Sequence, residues 1–244
     1  MDGYVLIWSG QDKHYSGVAI LIKKHLLRDD CEIKYVSDRI IYISTFIYGQ
    51  RSSIISAYAP TNAYEIDQKL EFYDNLQKIT SAIPSKQSLY IGADFNARVG
   101  RTKRGDDEWT KVLGNFGRGQ LNDNGQLLLE FCTQNELRIC NSFFKHRYYG
   151  SWKHPRSKTW HQIDHTLCHC SMSHLNSDCC VEPLAECWTD HQMVILQQKA
   201  ITSPKKQKFR QKTEVAVSYN HNKKTLYIKT DQKLRFKGGG RQGD

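Results

Sequence analysis

Short apolar runs broken by polar turns recur along the first two hundred residues. Strands are predicted at Tyr4–Trp8, Gly17–Ile22, Arg39–Tyr48, Ser53–Tyr58, Ser88–Gly92, Arg138–Phe144, Gln162–Cys168 and Gln192–Leu196. These runs are rich in Ile, Val, Tyr and Leu, and several are bounded by Gly, Pro or Asp. Two stretches show helical spacing instead. Glu65–Ile83 carries Ile66, Leu70, Tyr73, Leu76 and Ile83 on one side. Asn62 and Glu65 resemble a capping box before it, and Pro84 ends it. Gly125–Leu137 places Leu128, Phe131 and Cys132 together, with Asn124 as the expected cap. Strands interleaved with helices predict a layered α/β domain over residues 1–198.

The pattern weakens from residue 199 onward. Val215–Tyr219, Leu226–Lys229 and Leu234–Phe236 alternate faintly, compatible with a small hairpin, but the composition favours a flexible basic tail over 199–244. Charge supports this boundary. Residues 201–244 hold 12 Lys/Arg against 3 Asp/Glu, whereas residues 1–200 hold 23 against 22. The net charge of +10 therefore belongs to the tail, and any grip on nucleic acid by the domain must come from a local patch. The tail's Lys205-Lys206-x-Lys208-x-Arg210 run suits either a nuclear importer or a solvated terminus.

Composition narrows the class further. Hydrophobic residues make up 39% of the 244, including 13 Tyr, 9 Phe and 5 Trp, enough for a packed core. The longest clean apolar run, Val18–Ile22, is far too short to span a bilayer. The start of the chain lacks a basic region followed by a long apolar one, so a nuclear or cytoplasmic protein is expected, not a secreted one. The eight cysteines then read as reduced thiols.

Three segments end apolar strands in polar groups: Ile91-Gly92-Ala93-Asp94-Phe95-Asn96, Gln162-Ile163-Asp164-His165 and Trp188-Thr189-Asp190-His191. Asp-x-Asn at a strand end puts two polar side chains on one face, because side chains alternate with period two. Cleaving a phosphate ester needs such a cleft: carboxylates for a divalent cation, an amide for a phosphate oxygen, and an Asp-paired His for positive charge. Each segment alone also fits a turn cap or an ordinary strand end. All three in this order, downstream of Ser56-Ala57-Tyr58-Ala59-Pro60-Thr61, are far more specific.

The segments YAPT (58–61), GADFNARVG (92–100), GNFGRGQLNDNGQLLLEFCTQNELRICNSFF (114–144), QIDH (162–165) and TDHQMV (189–194) resemble the endonuclease/exonuclease/phosphatase superfamily. More narrowly they resemble the apurinic-type endonuclease domain of RTE- and LINE-like non-LTR retrotransposons, together with the craniofacial development protein 2-like group of host proteins. The resemblance covers residues 3–198. It implies a four-layer α/β/β/α sandwich of two packed mixed sheets, and Mg²⁺- or Mn²⁺-dependent hydrolysis of DNA phosphodiester bonds leaving 3′-hydroxyl and 5′-phosphate ends. It also implies roles. Asp94 orients or deprotonates water, Asn96 holds the phosphate, Asp164 orients His191, His191 contacts the phosphate, and Tyr58 reaches the phosphate or leaving group. Asp94 and Asp190 are the implied metal-side carboxylates, and Asn141 the implied nucleic-acid-facing amide. DNA is the expected partner, with a monomer and no small-molecule cofactor.

One departure limits the resemblance. Matching Ser16-Gly17-Val18-Ala19 to a later family strand places the family's first two strands, bearing an Asn and a metal-binding Glu, before Met1. Asp2, Asp12 and Glu32 are not in the expected context. A cation held only by Asp94 and Asp190 should bind weakly, since hard divalent ions want several anionic oxygens. An open sheet edge is also expected.

Lys145–Lys158 (KHRYYGSWKHPRSK) is a second functional candidate, with five Lys/Arg, no acid, and Tyr148, Tyr149 and Trp152 interleaved. Basic groups neutralise phosphates while aromatics stack or wedge. Arg147, Trp152, Lys153, Arg156 and Thr159 are the expected DNA contacts, against the alternative of an exposed hairpin packing its own aromatics. The Arg98–Arg104 basic cluster is offset by Asp106, Asp107 and Glu108 and reads as a solvated loop. The glycines at 114, 117, 119 and 125 lack a following Gly-Lys-Ser/Thr, which rejects a P-loop. His165, Cys168, His169, Cys170, Cys179, Cys180 and Cys187 lack paired C-x-x-C spacing, which argues against structural zinc.

Two function classes follow: a metal-dependent DNA endonuclease, weak or inactive in this chain, or a silent relative that binds nucleic acid or a partner through the same surface. A phosphoinositide, sphingomyelin or RNA-tail substrate is disfavoured by the narrow match to retrotransposon segments.

Overall fold

A computed structural model describes residues 3–10, 16–102, 108–183 and 189–199, with the backbone of 212–217 and 225–227. Its strands are β1 (Tyr4–Ser9), β2 (Val18–Lys23), β3 (Glu32–Ser37), β4 (Ile40–Ile47) and β5 (Gln50–Tyr58), followed by helix α1 (Ile66–Ala82). Next come β6 (Ser88–Asp94), helix α2 (Asp123–Gln134), β7 (Leu137–Ile139), β8 (Trp152–Lys153), β9 (Trp160–His161) and β10 (Asp164–His169). The last are β11 (Asn176–Glu182), β12 (Met193–Lys199), β13 (Lys212–Val217) and β14 (Thr225–Tyr227).

A six-stranded mixed sheet in the order β3-β4-β5-β6-β10-β7 forms the centre. β5 and β6 are parallel, joined by the α1 crossover, and the other pairs are antiparallel. Side-chain alternation gives this sheet two apolar faces. Ile40, Tyr42, Ile55, Leu89, Ile91 and Leu167 pack on one side against Phe72, Tyr73 and Leu76 of α1 and Leu128, Leu129 and Phe131 of α2. On the other side Ile41, Ile43, Ile54 and Tyr58 meet Ile7, Ile20 and Ile22 of β1 and β2. Further along, Tyr90 and Cys168 meet Cys179, Val181, Val194 and Leu196 of β11 and β12. The molecule is thus a mixed α/β sandwich with both helices on one outer face. Among the described residues the layers run α/β/β, and Tyr4, Leu6 and Trp8 on the outside of β1 stay 39%, 46% and 64% exposed.

The second layer consists of two three-stranded pieces, β1-β2-β14 and β11-β12-β13. β13 pairs antiparallel with β12 over six residues, and β14 runs parallel to β2. The edges of β12 and β2 are therefore paired by backbone from beyond residue 199. β13 and β14 join different pieces instead of forming a hairpin with each other. Leu234–Phe236, the 205–210 basic run and residues 103–107 of the expected solvated loop lie outside the described residues.

The local expectations shift in instructive ways. Asn122, not Asn124, caps α2, accepting from Gly125 N at 2.9 Å and also from Arg98 N at 2.8 Å. α1 begins after Glu65 with no side-chain cap. α2 ends at Gln134, and the strand expected to reach Phe144 stops at Ile139, because Cys140–Ser142 turns into a 3-10 helix with Ser142 Oγ donating to Ile139 O. Gly125 answers close packing: a Cβ there would sit 2.0 Å from Arg98 O.

Candidate active site and nucleic-acid interface

Register alone builds the first row of the site. Tyr58, the last residue of β5, lies opposite Asp94, the last of β6, and Asp94 lies opposite Asp164, the first of β10. Three polar side chains thus stand abreast on adjacent strands about 4.8 Å apart, on the face turned to the second layer. Asp94 is 2% exposed and Asp164 5%. His191, just before β12, closes over them, its Nδ1 lying 3.0 and 3.2 Å from the Asp164 oxygens. One donor atom each from Asp94, Asp164 and His191 lies within 4.8 Å of the others.

The electrostatics of this group are unusual. Burial and the neighbouring Asp164 charge push the Asp94 carboxyl up to about 7, against the opposing pull of His191. Burial lowers the proton affinity of His191, but Asp164, Asp94 and Asp190 together outweigh it and lift the imidazole to about 9. Burial and Asp94 raise the Tyr58 phenol, so it is a neutral donor at physiological pH. The donor atoms close enough to share a cation belong to Asp94, Asp164 and His191, and Asp190 adds a third carboxylate nearby against one imidazolium. This excess of negative charge, offered through hard oxygen donors, fits a hard divalent cation. Among the described residues no glutamate joins the cluster.

Asn96 sits in the left-handed region at φ 48°, a conformation that asparagine tolerates better than most residues. Its backbone N donates to Asp94 Oδ1 at 2.9 Å, and its amide donates to Ala59 O at 2.9 Å. Asn96 also hydrogen-bonds the Tyr58 phenol, so Tyr58, Asp94 and Asn96 form one connected group.

The basic segment is bound to this site. Trp152 forms an isolated bridge with His191, and Trp152 Nε1 donates to Asp190 Oδ2 at 2.8 Å. Lys153 N donates to Asp190 O at 2.9 Å, and Gln192 N to Ser151 O at 2.6 Å. Ser151 Oγ accepts from Ile163 N and Asp164 N at 3.2 and 3.1 Å. The β8–β9 hairpin is therefore fastened beside the cluster, at Asp190–Gln192. Arg147, Lys153, Arg156 and Thr159 are exposed, while Trp152 is half-buried.

Asn141, expected to face nucleic acid, is instead buried at 2% exposure. Its amide donates to Asp164 O at 3.0 Å and lies 3.3 Å from His165 Nδ1, while His165 Nε2 meets Ala97 O at 2.9 Å. It is a strut beneath the Tyr58–Asp94–Asp164 row. Sequence reasoning missed four supports: Ser151, Asn124, Arg39 and the Trp152 indole as partner of Asp190. Asn124 donates to Pro60 O and Asn96 O, at 3.0 and 3.2 Å. The Arg39 guanidinium lies 5.0 Å over the Tyr58 ring and donates to Tyr58 O at 3.3 Å. A tryptophan within a basic run was the one available signal, and neither the DNA reading nor the self-packing hairpin pointed to Asp190.

A mixed sheet stacked on a second strand layer, with both helices on its outer face, is the fold of endonuclease/exonuclease/phosphatase structures. Solved structures agree. The endonuclease domain of TRAS1, a telomere-specific non-LTR retrotransposon, superposes with a TM-score of 0.54 at 15% identity, over 79% of this chain and 76% of that one. The 3′-5′ exonuclease NExo from Neisseria meningitidis gives 0.56 at 18% identity, over 79% and 78%. An AP endonuclease from Archaeoglobus fulgidus gives 0.54 at 16%, over 78% and 77%. By sequence, the chain is similar to Craniofacial development protein 2 of Bos taurus, 29% identical over 196 residues, which are 80% of this chain and 32% of the relative. The corresponding protein of Tragulus javanicus is 28% identical over 196 residues, 80% of this chain and 33% of that relative. The chain thus spans about a third of the length of the curated relatives it matches. No family model matches the chain.

No helix among the described residues is long and apolar enough to cross a membrane.

Proposed function

We propose that this chain is a monomeric DNA endonuclease domain that hydrolyses phosphodiester bonds at the Asp94–Asp164–His191 cluster. The observation that carries this reading is the register row Tyr58–Asp94–Asp164 capped by His191, with a basic hairpin hydrogen-bonded to Asp190. Arg147, Lys153 and Arg156 meet backbone phosphates, while Trp152 and Thr159 border the scissile position. At the cleft, Asp94 accepts the proton of the attacking water, a role suited to a carboxyl lifted to about 7. His191, held as an imidazolium by Asp164, places positive charge at the phosphate as negative charge grows in the transition state. The neutral Tyr58 hydroxyl meets the departing 3′ oxygen. Mg²⁺ or Mn²⁺ held by Asp94 and Asp190 supplies further charge neutralisation at the phosphate when bound.

The absence of a glutamate from the described cluster supports a second reading, a silent DNA-binding relative. Supercoiled plasmid incubated with Mg²⁺ separates the two. Nicking by the natural chain that falls at least about a hundredfold in Asp94→Asn and Asp190→Ala supports the endonuclease. Nicking that survives both substitutions overturns it. Gel-shift binding with no nicking by any of the three proteins assigns the silent relative.

A further inference from the structure

Outside the cleft, one more cluster of ligating side chains is assembled from distant parts of the chain. On β11, Cys179 and Val181 face the core with Val194 and Leu196. Alternation therefore turns Asp178 and Cys180 to the opposite, half-buried face, two residues apart. His146 meets that face from the start of the basic segment, two residues after Phe144, which packs on the same core. Its Nε2 lies 2.7 Å from Asp178 Oδ1. One donor atom from each of His146, Asp178 and Cys180 lies within 4.8 Å of the others.

The surroundings hold these donors in place. Asp178 Oδ1 also accepts from Cys179 N at 2.8 Å. His146 N donates to the Tyr149 hydroxyl at 2.7 Å, which ties the loop to itself. Imidazole, thiolate and carboxylate together are donors for a borderline cation such as zinc, at bond lengths of about 2.0–2.3 Å. Tetrahedral bonds to nitrogen and oxygen separate those ligand atoms by about 3.3–3.5 Å, so the His146–Asp178 contact of 2.7 Å opens by roughly 0.7 Å on binding. A thiolate and a carboxylate cancel the double charge of the ion. Magnesium, which wants hard oxygen ligands, has no such use for sulfur and nitrogen.

We propose that His146, Asp178 and Cys180 form a zinc-class cation site separate from the Asp94–Asp164–His191 cluster. Three protein donors leave a fourth position for water. The ion fastens the base of the basic segment 145–158 to β11 of the second layer. It thereby steadies the hairpin whose Trp152 and Lys153 hold Asp190. Spacing argued against zinc among the histidines and cysteines from His165 to Cys187; His146 lies outside that stretch, 32 residues upstream of Asp178.

Cobalt titration of the full chain tests the site, because a sulfur-to-cobalt charge-transfer band needs a thiolate and the catalytic cluster has none. One equivalent of Co²⁺ is expected to give that band together with tetrahedral ligand-field absorption. Cys180→Ser abolishes the sulfur band, His146→Gln weakens binding at least about tenfold, and Cys170→Ser leaves both signals intact. Circular dichroism verifies that each variant folds. If Cys180→Ser does not fold, alkylation of the natural chain mapped by mass spectrometry replaces it, with Zn²⁺ expected to protect Cys180. The proposal is overturned by no sulfur band at one equivalent, by a band that survives Cys180→Ser, or by equal alkylation of Cys180 with and without Zn²⁺.

Discussion

Replacing Asp164 with asparagine keeps the shape of the first residue of β10 and removes the charge opposite His191. The imidazole is 4% exposed, so little solvent screens the pair. Its rise from 6.5 to about 9 corresponds to roughly 3 kcal/mol of preference for the imidazolium. Because folding raises this pKa, the stability it contributes is complete below pH 6.5 and is lost as the pH climbs through 9. Asp164→Asn removes both the charge and the charge-assisted hydrogen bond, the two largest raising causes, so His191 should titrate clearly below its value in the natural chain, with Asp94 and Asp190 still opposing burial. Ring-proton NMR across the pH range reads the titration directly. Denaturant unfolding reads the linkage: the natural chain should lose up to about 3 kcal/mol between roughly pH 6 and pH 9.5, and the variant distinctly less. Plasmid nicking near neutrality should fall about a hundredfold, because the imidazolium is then less populated and no longer oriented by Asp164. A His191 midpoint near 6.5 in the natural chain, or one unmoved by Asp164→Asn, would refute the electrostatic argument.

Trp152→Phe keeps the ring and deletes the 2.8 Å bond to Asp190 Oδ2. We expect nicking to fall at least about tenfold and the Mg²⁺ concentration for half-maximal rate to rise, with stability lowered by only about 1 kcal/mol. Changing Arg147, Lys153 and Arg156 together to alanine should weaken DNA binding and reduce the slope of log affinity against log salt by about 2 to 3. A fluorescence-anisotropy salt series with an unchanged slope would remove the hairpin from the interface. Asn122→Ala deletes the α2 cap and its bond to Arg98 N, and should cost about 1–2 kcal/mol in urea unfolding at constant slope.

Most elements were legible because apolar periodicity is a local property. β1, β2, β4, β5, β6 and β12 and both helices lie where the pattern puts them. β3 escaped notice because it is a polar edge strand, with Ile33 and Tyr35 38% and 61% exposed. β11 was hidden by its polar and cysteine-rich sequence, NSDCCVE, which resembles a loop until β12 pairs with it. The α2 boundary moved for a tertiary reason. Asn122 is recruited as cap because it also meets the chain leaving β6 at Arg98, while the expected cap, Asn124, is buried against Pro60 and Asn96.

From the sequence alone came the strand ends that carry acids, the family those motifs resemble, and the division of charge between domain and tail. These follow from residue type and near spacing. Only the tertiary structure decided that Tyr58, Asp94 and Asp164 stand in one row, that Asn141 is a buried strut, and that Trp152 holds Asp190. It alone brought His146 to Asp178 and Cys180. Each of these depends on sheet register and loop closure between residues tens of positions apart. That geometry is set by the summed packing of two sheets and two helices, which no local pattern of side chains encodes.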